Sequence, residues 1–365
     1  MDAVIFGFSA PGIQLLDYIK DQYDKIVFCD NTSTKHGKYL SYKIVSVEEA
    51  VRNNAKAVYY VASVYHGMEM KEQLIKLGIK EDQIITELPD EIYESEKEHI
   101  KNRSLSPRDK LRFEINIARH CNLNCKSCDH FSPLSPEDFL DINLLERDLK
   151  RLSLLFNGVA DQILILGGEP LLNKDVNKYM EVCRRYFNDA RISIVTNGLL
   201  VMQMTPDFWD CMKKNRIILS VTKYPIKVNY DAIKEEAMKN GVEFCFFGIT
   251  EAGRSFWYSP MDLEGKHDAY ENFIKCRVGN WCINLDKGKL YPCAMAANID
   301  IFNNYFGTKL TFGEDDIVDI YQVDSAEEIT ERLARPMDFC RYCNIESRTY
   351  DNPWEMSKCD IKEWS

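Results

Sequence analysis

Short apolar runs alternate with stretches of helical spacing over the first part of the chain. AVIFG (3–7) predicts a buried strand, and the apolar positions of GIQLLDYIKDQY predict a helix that follows a glycine turn. KIVFCD and AVYYVAS (57–63) predict two further strands, the second followed by a helix that contains MKEQLIKLG. Strands that alternate with helices are typical of a parallel sheet covered on both faces. We therefore predict a small doubly wound domain over residues 1–90.

The rest of the chain divides by its polarity. Residues 91–110 are almost all polar or charged and predict a linker. From 111 to 255, the apolar runs LRFEINIA, DQILILGG, ARISIVTNG and RIILSVTK predict strands separated by helices. Residues 256–365 form a third region, which is rich in cysteine. The overall class is therefore α/β.

The turn after the first predicted strand carries a degraded dinucleotide motif. Gly7-x-Ser9-x-x-Gly12 has serine where a glycine normally lets the backbone approach a pyrophosphate, and Asp30 lies where a ribose-binding carboxylate is expected. A tight turn into a helix also needs glycine for structural reasons. The segment resembles the small Rossmann-like domains fused to bacterial sugar-modifying enzymes. We interpret it as a folded accessory domain, with nucleotide binding as the alternative.

Composition and charge exclude several classes of partner. The 365 residues include 45% hydrophobic and 28% charged residues, and the net charge is −11 without a block of Lys and Arg. This excludes nucleic acid as a general partner. The start of the chain lacks the features of a signal peptide, and no run approaches eighteen apolar residues, so we expect a cytoplasmic protein without a membrane partner. Thirteen cysteines in such a chain favour metal ligation over disulfides.

Three cysteines are crowded onto one loop after LRFEINIA. Cys121, Cys125 and Cys128 have the spacing C-x3-C-x2-C, which provides one thiolate too few for a closed four-sulfur cluster. This arrangement resembles the radical S-adenosylmethionine (SAM) superfamily, in which the open iron of a 4Fe-4S cluster is chelated by SAM. Zinc is the alternative, with His120 or His130 as an additional ligand.

The resemblance continues at the following strand ends. A GGEP motif follows DQILIL, 39 residues after Cys128, and in the family this motif receives the SAM ammonium group. The resemblance also implies a partial (β/α)6 barrel over 111–255. Ser127 departs from the family pattern, which commonly has an aromatic residue there. The residues implied as SAM contacts are Gly167, Gly168, Glu169, Pro170, Asn197 and Ser220.

A second set of cysteines lies in the C-terminal region. Cys276, Cys293, Cys340 and Cys343 resemble the ligands of a twitch domain, a shortened relative of the SPASM domain, and imply one auxiliary 4Fe-4S cluster. The segment LDKGKLYPC predicts a β-hairpin that ends at the second of these cysteines. Cys282 is an alternative to Cys276, and Cys359 either lies near a cluster or packs in the core. Structural zinc is again the alternative.

Two clusters imply an oxidation. The cysteine pattern is similar to that of 2-deoxy-scyllo-inosamine dehydrogenase, so we expect dehydrogenation of a small-molecule substrate: a sugar, nucleotide-linked sugar or cyclitol alcohol. The resemblance also implies an electron donor such as flavodoxin or ferredoxin. The alternatives are a peptide-modifying radical SAM enzyme, a redox-neutral sugar epimerase that uses Cys282 or Cys359 as hydrogen donor, and a non-catalytic metal-binding protein. Loop residues proposed as the proton acceptor are Arg119, His130, Lys223, Tyr224 and Arg254.

Overall fold

The computed structural model describes residues 2–31, 35–63, 67–92, 111–247, 256–276 and 278–365. The chain separates into two compact units, Met1–Asn102 and Arg103–Ser365. Of the linker predicted over 91–110, residues 93–110 lie outside the described part. None of the described helices is long and apolar enough to cross a membrane.

The first unit contains a six-stranded sheet with the strand order β3-β4-β2-β1-β5-β6. Strands β2 and β5 flank β1 in parallel, whereas β3 and β4 form an antiparallel pair at one edge. The elements are β1 (Asp2–Phe6), α1 (Ala10–Ile19), β2 (Lys25–Cys29), β3 (Gly37–Tyr39), β4 (Tyr42–Val45), α2 (Val47–Asn53), β5 (Val58–Val61), α3 (Gly67–Lys76) and β6 (Ile84–Ile85).

Both faces of this sheet are buried because successive side chains of a strand point to opposite sides. Ile5 packs in a cluster with Leu15 and Leu16 of α1, whereas Val4 packs in a second cluster with Leu74 of α3. The apolar run of β1 is therefore continuous, as expected for a central parallel strand.

The two glycines and the aspartate that suggested nucleotide binding all make contacts within this unit. Gly7 has a φ of +112°, and a Cβ atom on Gly12 would lie 2.1 Å from the Gly7 carbonyl oxygen. The Asp30 carboxylate accepts hydrogen bonds from the Phe8 amide (2.9 Å) and from Lys35 Nζ (3.0 Å). The close approach of α1 to the turn therefore accounts for both glycines, and nucleotide binding stays a prediction.

The second unit is built on an eight-stranded sheet with the order β11-β10-β9-β8-β7-β13-β14-β15. Its elements are β7 (Arg112–Ala118), α4 (Ile142–Leu155), β8 (Gln162–Gly167), α5 (Val176–Tyr186), β9 (Arg191–Thr196), α6 (Pro206–Lys214), β10 (Ile217–Val221), α7 (Tyr230–Lys239), β11 (Phe244–Phe246), β12 (Phe256–Tyr258), α8 (Ala269–Lys275), β13 (Asn284–Asp286), β14 (Lys289–Tyr291), α9 (Ala294–Phe306), β15 (Val318–Asp319), α10 (Ala326–Leu333) and β16 (Thr349–Asn352).

The predicted α/β class is confirmed, and the structure shows which strands build the parallel sheet. Strands β7 to β11 pair in parallel, with helices between them. On its other side β7 pairs in parallel with β13, where Asn284 lies opposite Glu114. Among the described residues, the sixth parallel strand therefore comes from the C-terminal region and not from 111–255. Strand β13 and its hairpin partner β14 cover an edge of β7 that would otherwise be exposed.

The pleat of β7 separates an apolar face from a polar one. Phe113, Ile115 and Ile117 pack with the surrounding helices in the main hydrophobic cluster. The alternate residues Glu114 and Asn116 are also buried and must face the opposite side of the sheet. The side of the sheet away from the helices, which we call the lumen, is therefore lined with polar groups along this strand.

Candidate functional site

The loop after β7 brings three predicted cluster ligands together. Burial raises the pKa of the Cys121 thiol, and the charges of Glu169, Cys128 and Cys125 raise it further. Burial and the Cys128 charge likewise raise the pKa of Cys125 to about 12. The three thiols therefore lie close enough for the charge of one to affect the pKa of another. Bound iron would offset this cost, because a cation stabilises the thiolate form.

The two glycines of the GGEP motif are required by the backbone of this loop. A Cβ atom on Gly167 would lie 2.1 Å from the Ala118 carbonyl oxygen, and one on Gly168 would lie 2.1 Å from the His120 carbonyl oxygen. Gly168 also donates a backbone hydrogen bond to Ala118. The motif therefore lets the end of β8 approach the start of the cysteine loop.

Glu169 is fully buried, and its carboxylate joins the ends of β8 and β9. One oxygen accepts hydrogen bonds from the Leu171 amide (3.0 Å) and the Thr196 hydroxyl (2.7 Å), and the other accepts one from the Asn197 amide (2.9 Å). Burial raises the pKa of Glu169 to about 7, and these three hydrogen bonds oppose a larger rise. Thr196 was not among the predicted site residues, although it directly precedes Asn197.

Removing this carboxylate is expected to destabilise the protein. Glu169→Ala leaves three buried donors without their acceptor, and each such donor costs about 1–3 kcal/mol, so we expect a loss of about 3 kcal/mol or more in the free energy of unfolding. Urea unfolding followed by circular dichroism measures this change in the free energy of unfolding. Glu181→Ala, at an exposed position of α5, is the control and should change the value by less than about 0.5 kcal/mol. Equal values for the two variants would contradict the role given to Glu169.

The remaining predicted SAM contacts lie at neighbouring strand ends. The Asn197 side-chain amide is 3.8 Å from the Cys121 sulfur and donates to Asn122 Oδ1 at 2.8 Å. Ser220 lies near the end of β10 with its hydroxyl 3.0 Å from the Cys245 sulfur. Pro170 begins a short 3-10 helix (Pro170–Leu172). Asn197 thus adjoins the cysteine loop directly, whereas Ser220 is linked to the next strand.

The four C-terminal cysteines also converge. Burial raises the pKa of Cys340, and the charges of Cys343, Cys293 and Cys276 raise it further. Burial and the charges of Cys343 and Cys276 raise the pKa of Cys293. Burial and the charge of Cys276 raise the pKa of Cys343 to about 12. All four are buried. They come from separate elements: the end of α8, the start of α9, and a short 3-10 helix (Asp338–Tyr342).

Local hydrogen bonds fix this quartet. The Gly279 amide donates to the Cys276 sulfur at 3.4 Å, and Cys293 is the N-cap of α9. A helix N-terminus favours a thiolate. Asn272 donates to the carbonyl oxygens of Cys340 and Cys343, at 2.9 Å for the former. These hydrogen bonds hold three of the four cysteines of the quartet: Cys276, Cys340 and Cys343.

The two other cysteines suggested as ligands have different neighbours. Burial and the charge of Glu114 raise the pKa of Cys282 well above its usual value, and the next residue, Ile283, accepts a backbone hydrogen bond from the Glu114 amide at 2.7 Å. Cys282 therefore adjoins the lumen. The Cys359 sulfur is 3.7 Å from the Pro133 carbonyl oxygen and 4.0 Å from the Ser357 hydroxyl.

A hydrogen-bonded wall in the lumen was missed by sequence reasoning. Asn116 donates to Asn284 Oδ1 (3.2 Å), and Asn284 donates to Glu114 Oε2 (3.3 Å). Arg112 lies 3.6 Å from the other Glu114 oxygen. Burial raises the pKa of Glu114, although the charges of His130 and Arg112 lower it in part. The available signal was the alternation of polar and apolar residues in LRFEINIA, which had been used only to predict a strand.

The His130 side chain extends the polar surroundings of this wall. His130 Nδ1 is 2.9 Å from the Asp129 carboxylate. Potential ligand atoms of Cys128, Asp129 and His130 lie within 4.8 Å of one another. The Asp129 charge acts on both Cys125 and Cys293, so this pair lies within electrostatic reach of both cysteine sets. Among the described residues, Asn116 Oδ1 and His130 Nε2 are buried and have no hydrogen-bond partner.

The other proposed proton acceptors have partners elsewhere. Arg119 forms a two-point contact with Asp300, one arm at 2.8 Å. Lys223 Nζ lies 4.0 Å from the centre of the Phe246 ring. Tyr224 stacks on Phe256 of β12, with the ring centres 5.3 Å apart. Arg254 lies outside the described residues.

Comparison with known families identifies the domain that contains Cys121, Cys125 and Cys128. The model of the Radical SAM superfamily matches residues 115–236. Residues 115–236 form a radical SAM domain. Three thiols on one loop are the donor set that such a domain uses to hold a 4Fe-4S cluster with one open iron for SAM, and this favours the cluster over zinc at these positions. The first part of the resemblance drawn from the sequence is therefore confirmed.

Curated relatives share this radical SAM domain over part of their length. GTP 3',8-cyclase of Helicobacter pylori (strain ATCC 700392 / 26695) is 26% identical over 140 residues, which cover 35% of this chain and 43% of that protein. The enzyme of the same name from Campylobacter jejuni subsp. doylei is 29% identical over 144 residues, or 38% of this chain and 42% of that protein. The chain thus spans less than half of the length of these relatives.

Solved structures similar to this chain include two with bound SAM. BtrN in complex with AdoMet and 2-DOIA is 20% identical with a TM-score of 0.42, and the match covers 66% of this chain and 94% of BtrN. Streptococcus suis SuiB bound to S-adenosylmethionine is 16% identical with a TM-score of 0.33, covering 52% of this chain and 47% of SuiB.

Proposed function

We propose that this protein is a radical SAM oxidoreductase that dehydrogenates a secondary alcohol of a sugar, nucleotide-linked sugar or cyclitol. The observation that carries the proposal is the second, buried quartet of cysteines in the same compact unit as the radical SAM domain. A closed four-thiol site has no position for SAM, but it suits an auxiliary 4Fe-4S cluster that accepts an electron. An oxidation needs such an acceptor, whereas SAM cleavage alone does not.

The chemistry follows from the two donor sets. SAM held at the three-cysteine loop supplies, after reduction by a donor such as flavodoxin or ferredoxin, a 5'-deoxyadenosyl radical that removes a hydrogen atom from a substrate carbon. To complete the oxidation, the substrate must lose one more electron and the hydroxyl proton. An auxiliary cluster at the quartet provides the acceptor for the electron, and the lumen must provide the acceptor for the proton.

The lumen wall supports a polyhydroxylated substrate. Asn116 and His130 each present a buried polar atom without a partner among the described residues, and such atoms are costly unless a ligand or water satisfies them. Asn284 and Glu114 connect them to further polar groups. Hydroxyl groups both donate and accept hydrogen bonds, so neighbouring hydroxyls on a ring match this mixture of amide, imidazole and carboxylate.

We assign the proton-acceptor role to Glu114. Its carboxylate is 4% exposed, and burial raises its pKa, which makes it a stronger base than an exposed glutamate. Arg119 donates a hydrogen bond to Asp300, and Lys223 lies over the ring of Phe246. Burial and the charge of Cys125 raise the pKa of Tyr224. Among the candidates, the carboxylate of the lumen wall is therefore the best placed to receive a hydroxyl proton.

The Glu114→Gln variant is expected to lose turnover. It keeps the size and most hydrogen bonds of the side chain but cannot accept a proton, so kcat should fall about 10²-fold or more while KM changes little. Steady-state measurement of ketone formation checks this. Glu235→Gln, at an exposed position of α7, is the control and should retain the original kcat. A change in KM alone would reduce Glu114 to a substrate contact.

The overall proposal is tested with reconstituted protein under anaerobic conditions. SAM, a reductant and a panel of cyclitols, sugars and nucleotide-linked sugars are supplied, and products are analysed by mass spectrometry. Dehydrogenation predicts loss of two hydrogens from one substrate, with 5'-deoxyadenosine formed in equal amount. Formation of 5'-deoxyadenosine without an oxidised product from any panel member would count against the alcohol class.

A redox-neutral epimerase is a second candidate, favoured by the position of Cys282. Cys282 directly precedes Ile283, whose carbonyl oxygen accepts a backbone hydrogen bond from Glu114, and is therefore next to the proposed substrate wall. In that reaction the substrate radical takes a hydrogen atom from the thiol on its opposite face, and the resulting thiyl must regain one electron and one proton. Cys282→Ser discriminates the two candidates: it should stop product formation by an epimerase, whereas a dehydrogenase should still yield its ketone.

A further inference from the structure

The last residues of the chain pack against the loop that carries Cys121, Cys125 and Cys128. We call residues 354–364 the C-terminal segment. Cys125 and Met356 form an antiparallel bridge. The Lys126 amide donates to the Glu355 carbonyl oxygen, and the Ser357 amide donates to the Asn124 carbonyl oxygen, both at 2.9 Å. The C-terminal segment therefore adds a short strand to the cysteine loop.

Further along the C-terminal segment, side chains complete this attachment. Ser127 donates to the Glu363 carbonyl oxygen, and the indole of Trp364 donates to the Cys128 carbonyl oxygen at 2.9 Å. Trp364 is 1% exposed and packs against Phe131 and Phe302. The segment thus contacts each residue from Asn124 to Cys128 through main-chain or side-chain bonds.

The bond to Cys125 is made to its sulfur atom. The indole nitrogen Nε1 of Trp354 lies 3.1 Å from Cys125 Sγ and donates to it. The N–H donor of a residue that is distant in sequence therefore reaches the sulfur of a predicted cluster ligand.

We propose that Trp354 raises the reduction potential of the SAM-binding cluster through its hydrogen bond to the Cys125 sulfur. Hydrogen bonds to cluster sulfurs stabilise the more negative, reduced state and so raise the potential. Trp354 is a positioning residue because it acts through Cys125 and not on substrate. The inference rests on the proposed function only in that Cys121, Cys125 and Cys128 hold the cluster.

The test is an EPR-monitored redox titration of the reconstituted full-length protein. The signal that changes when SAM is added identifies the cluster with an open iron. At a fixed applied potential, Trp354→Phe should lower the ratio of reduced to oxidised cluster by about three- to tenfold, because the ring is kept but the N–H donor is lost. A tenfold change corresponds to about 59 mV for a one-electron couple.

Trp364→Phe is the matched control because it removes an indole donor from the same segment, but one that bonds to a carbonyl oxygen and not to sulfur. It should leave the ratio unchanged. An equal shift in Trp364→Phe would attribute the effect to loosening of the loop and overturn the proposal. An unchanged ratio in Trp354→Phe, with full iron content, would also overturn it while leaving the proposed function intact. If Trp354→Phe does not retain iron, Trp354→Leu, which also lacks the N–H donor, decides.

Discussion

Replacing Cys125 with alanine is expected to abolish the formation of 5'-deoxyadenosine. Cys121 and Cys128 alone cannot hold a cubane cluster with a single open iron, because two thiolates leave two irons without a protein ligand. SAM would then have no defined binding position next to a reductant. We expect product at the level of the assay without enzyme, measured by liquid chromatography after anaerobic incubation with SAM and dithionite.

Cys183 provides the control for this experiment. It is a fully buried cysteine of α5 that packs in the main hydrophobic cluster, remote in sequence from both cysteine sets. Cys183→Ala should retain its iron and form 5'-deoxyadenosine at a rate similar to that of the original protein. Substantial cleavage of SAM by Cys125→Ala would contradict the assignment of the cysteine loop, whatever the substrate proves to be.

Much of the fold was predictable because it depends on local patterns. The run LRFEINIA alternates in polarity and became β7, and the apolar runs that end in Gly167 and Thr196 became the parallel strands β8 and β9 of the same sheet. The pairing of β13 with the free edge of β7 could not be predicted, since it joins Glu114 to Asn284 across 170 positions. Periodicity reports which face of a strand is buried, but it does not report which strand lies beside it.

The candidate site was predictable to the extent that its residues are close in sequence. The spacing of Cys121, Cys125 and Cys128 defines three ligands within one loop, and the family resemblance supplied the GGEP motif. Trp354, by contrast, lies 229 positions from Cys125 and belongs to no motif. The same limit applies to Asn116, whose orphaned oxygen is evident only once the strand is placed against its neighbours.

The role of Cys282 shows how geometry decides between sequence alternatives. Spacing alone allowed Cys282 to replace Cys276, since both precede the hairpin formed by β13 and β14. In the structure burial and the charge of Cys276 raise the pKa values of Cys340 and Cys343, whereas Cys282 directly precedes Ile283, which accepts a backbone hydrogen bond from Glu114. We therefore keep Cys276 in the proposed ligand quartet and treat Cys282 as a residue of the lumen wall.

The auxiliary cluster is tested by replacing Cys340, and the expected result separates SAM cleavage from substrate oxidation. With both clusters the protein should hold about eight irons, four per cluster, and Cys340→Ala should hold about four. Because the cysteine loop is unaltered, 5'-deoxyadenosine should still form, but the oxidised product should fall to background since the second electron has no acceptor. Iron analysis and the two product assays measure this.

Cys211→Ala is the matched control for the auxiliary site, because Cys211 is a buried cysteine of α6 in the main hydrophobic cluster, outside both proposed sets of ligands. It should keep about eight irons and full oxidation. If Cys340→Ala kept its iron and still oxidised substrate, the quartet would not hold the acceptor, and the dehydrogenase proposal would lose the observation that carries it. Loss of zinc instead of iron from Cys340→Ala would make the quartet a structural site, because zinc cannot accept an electron.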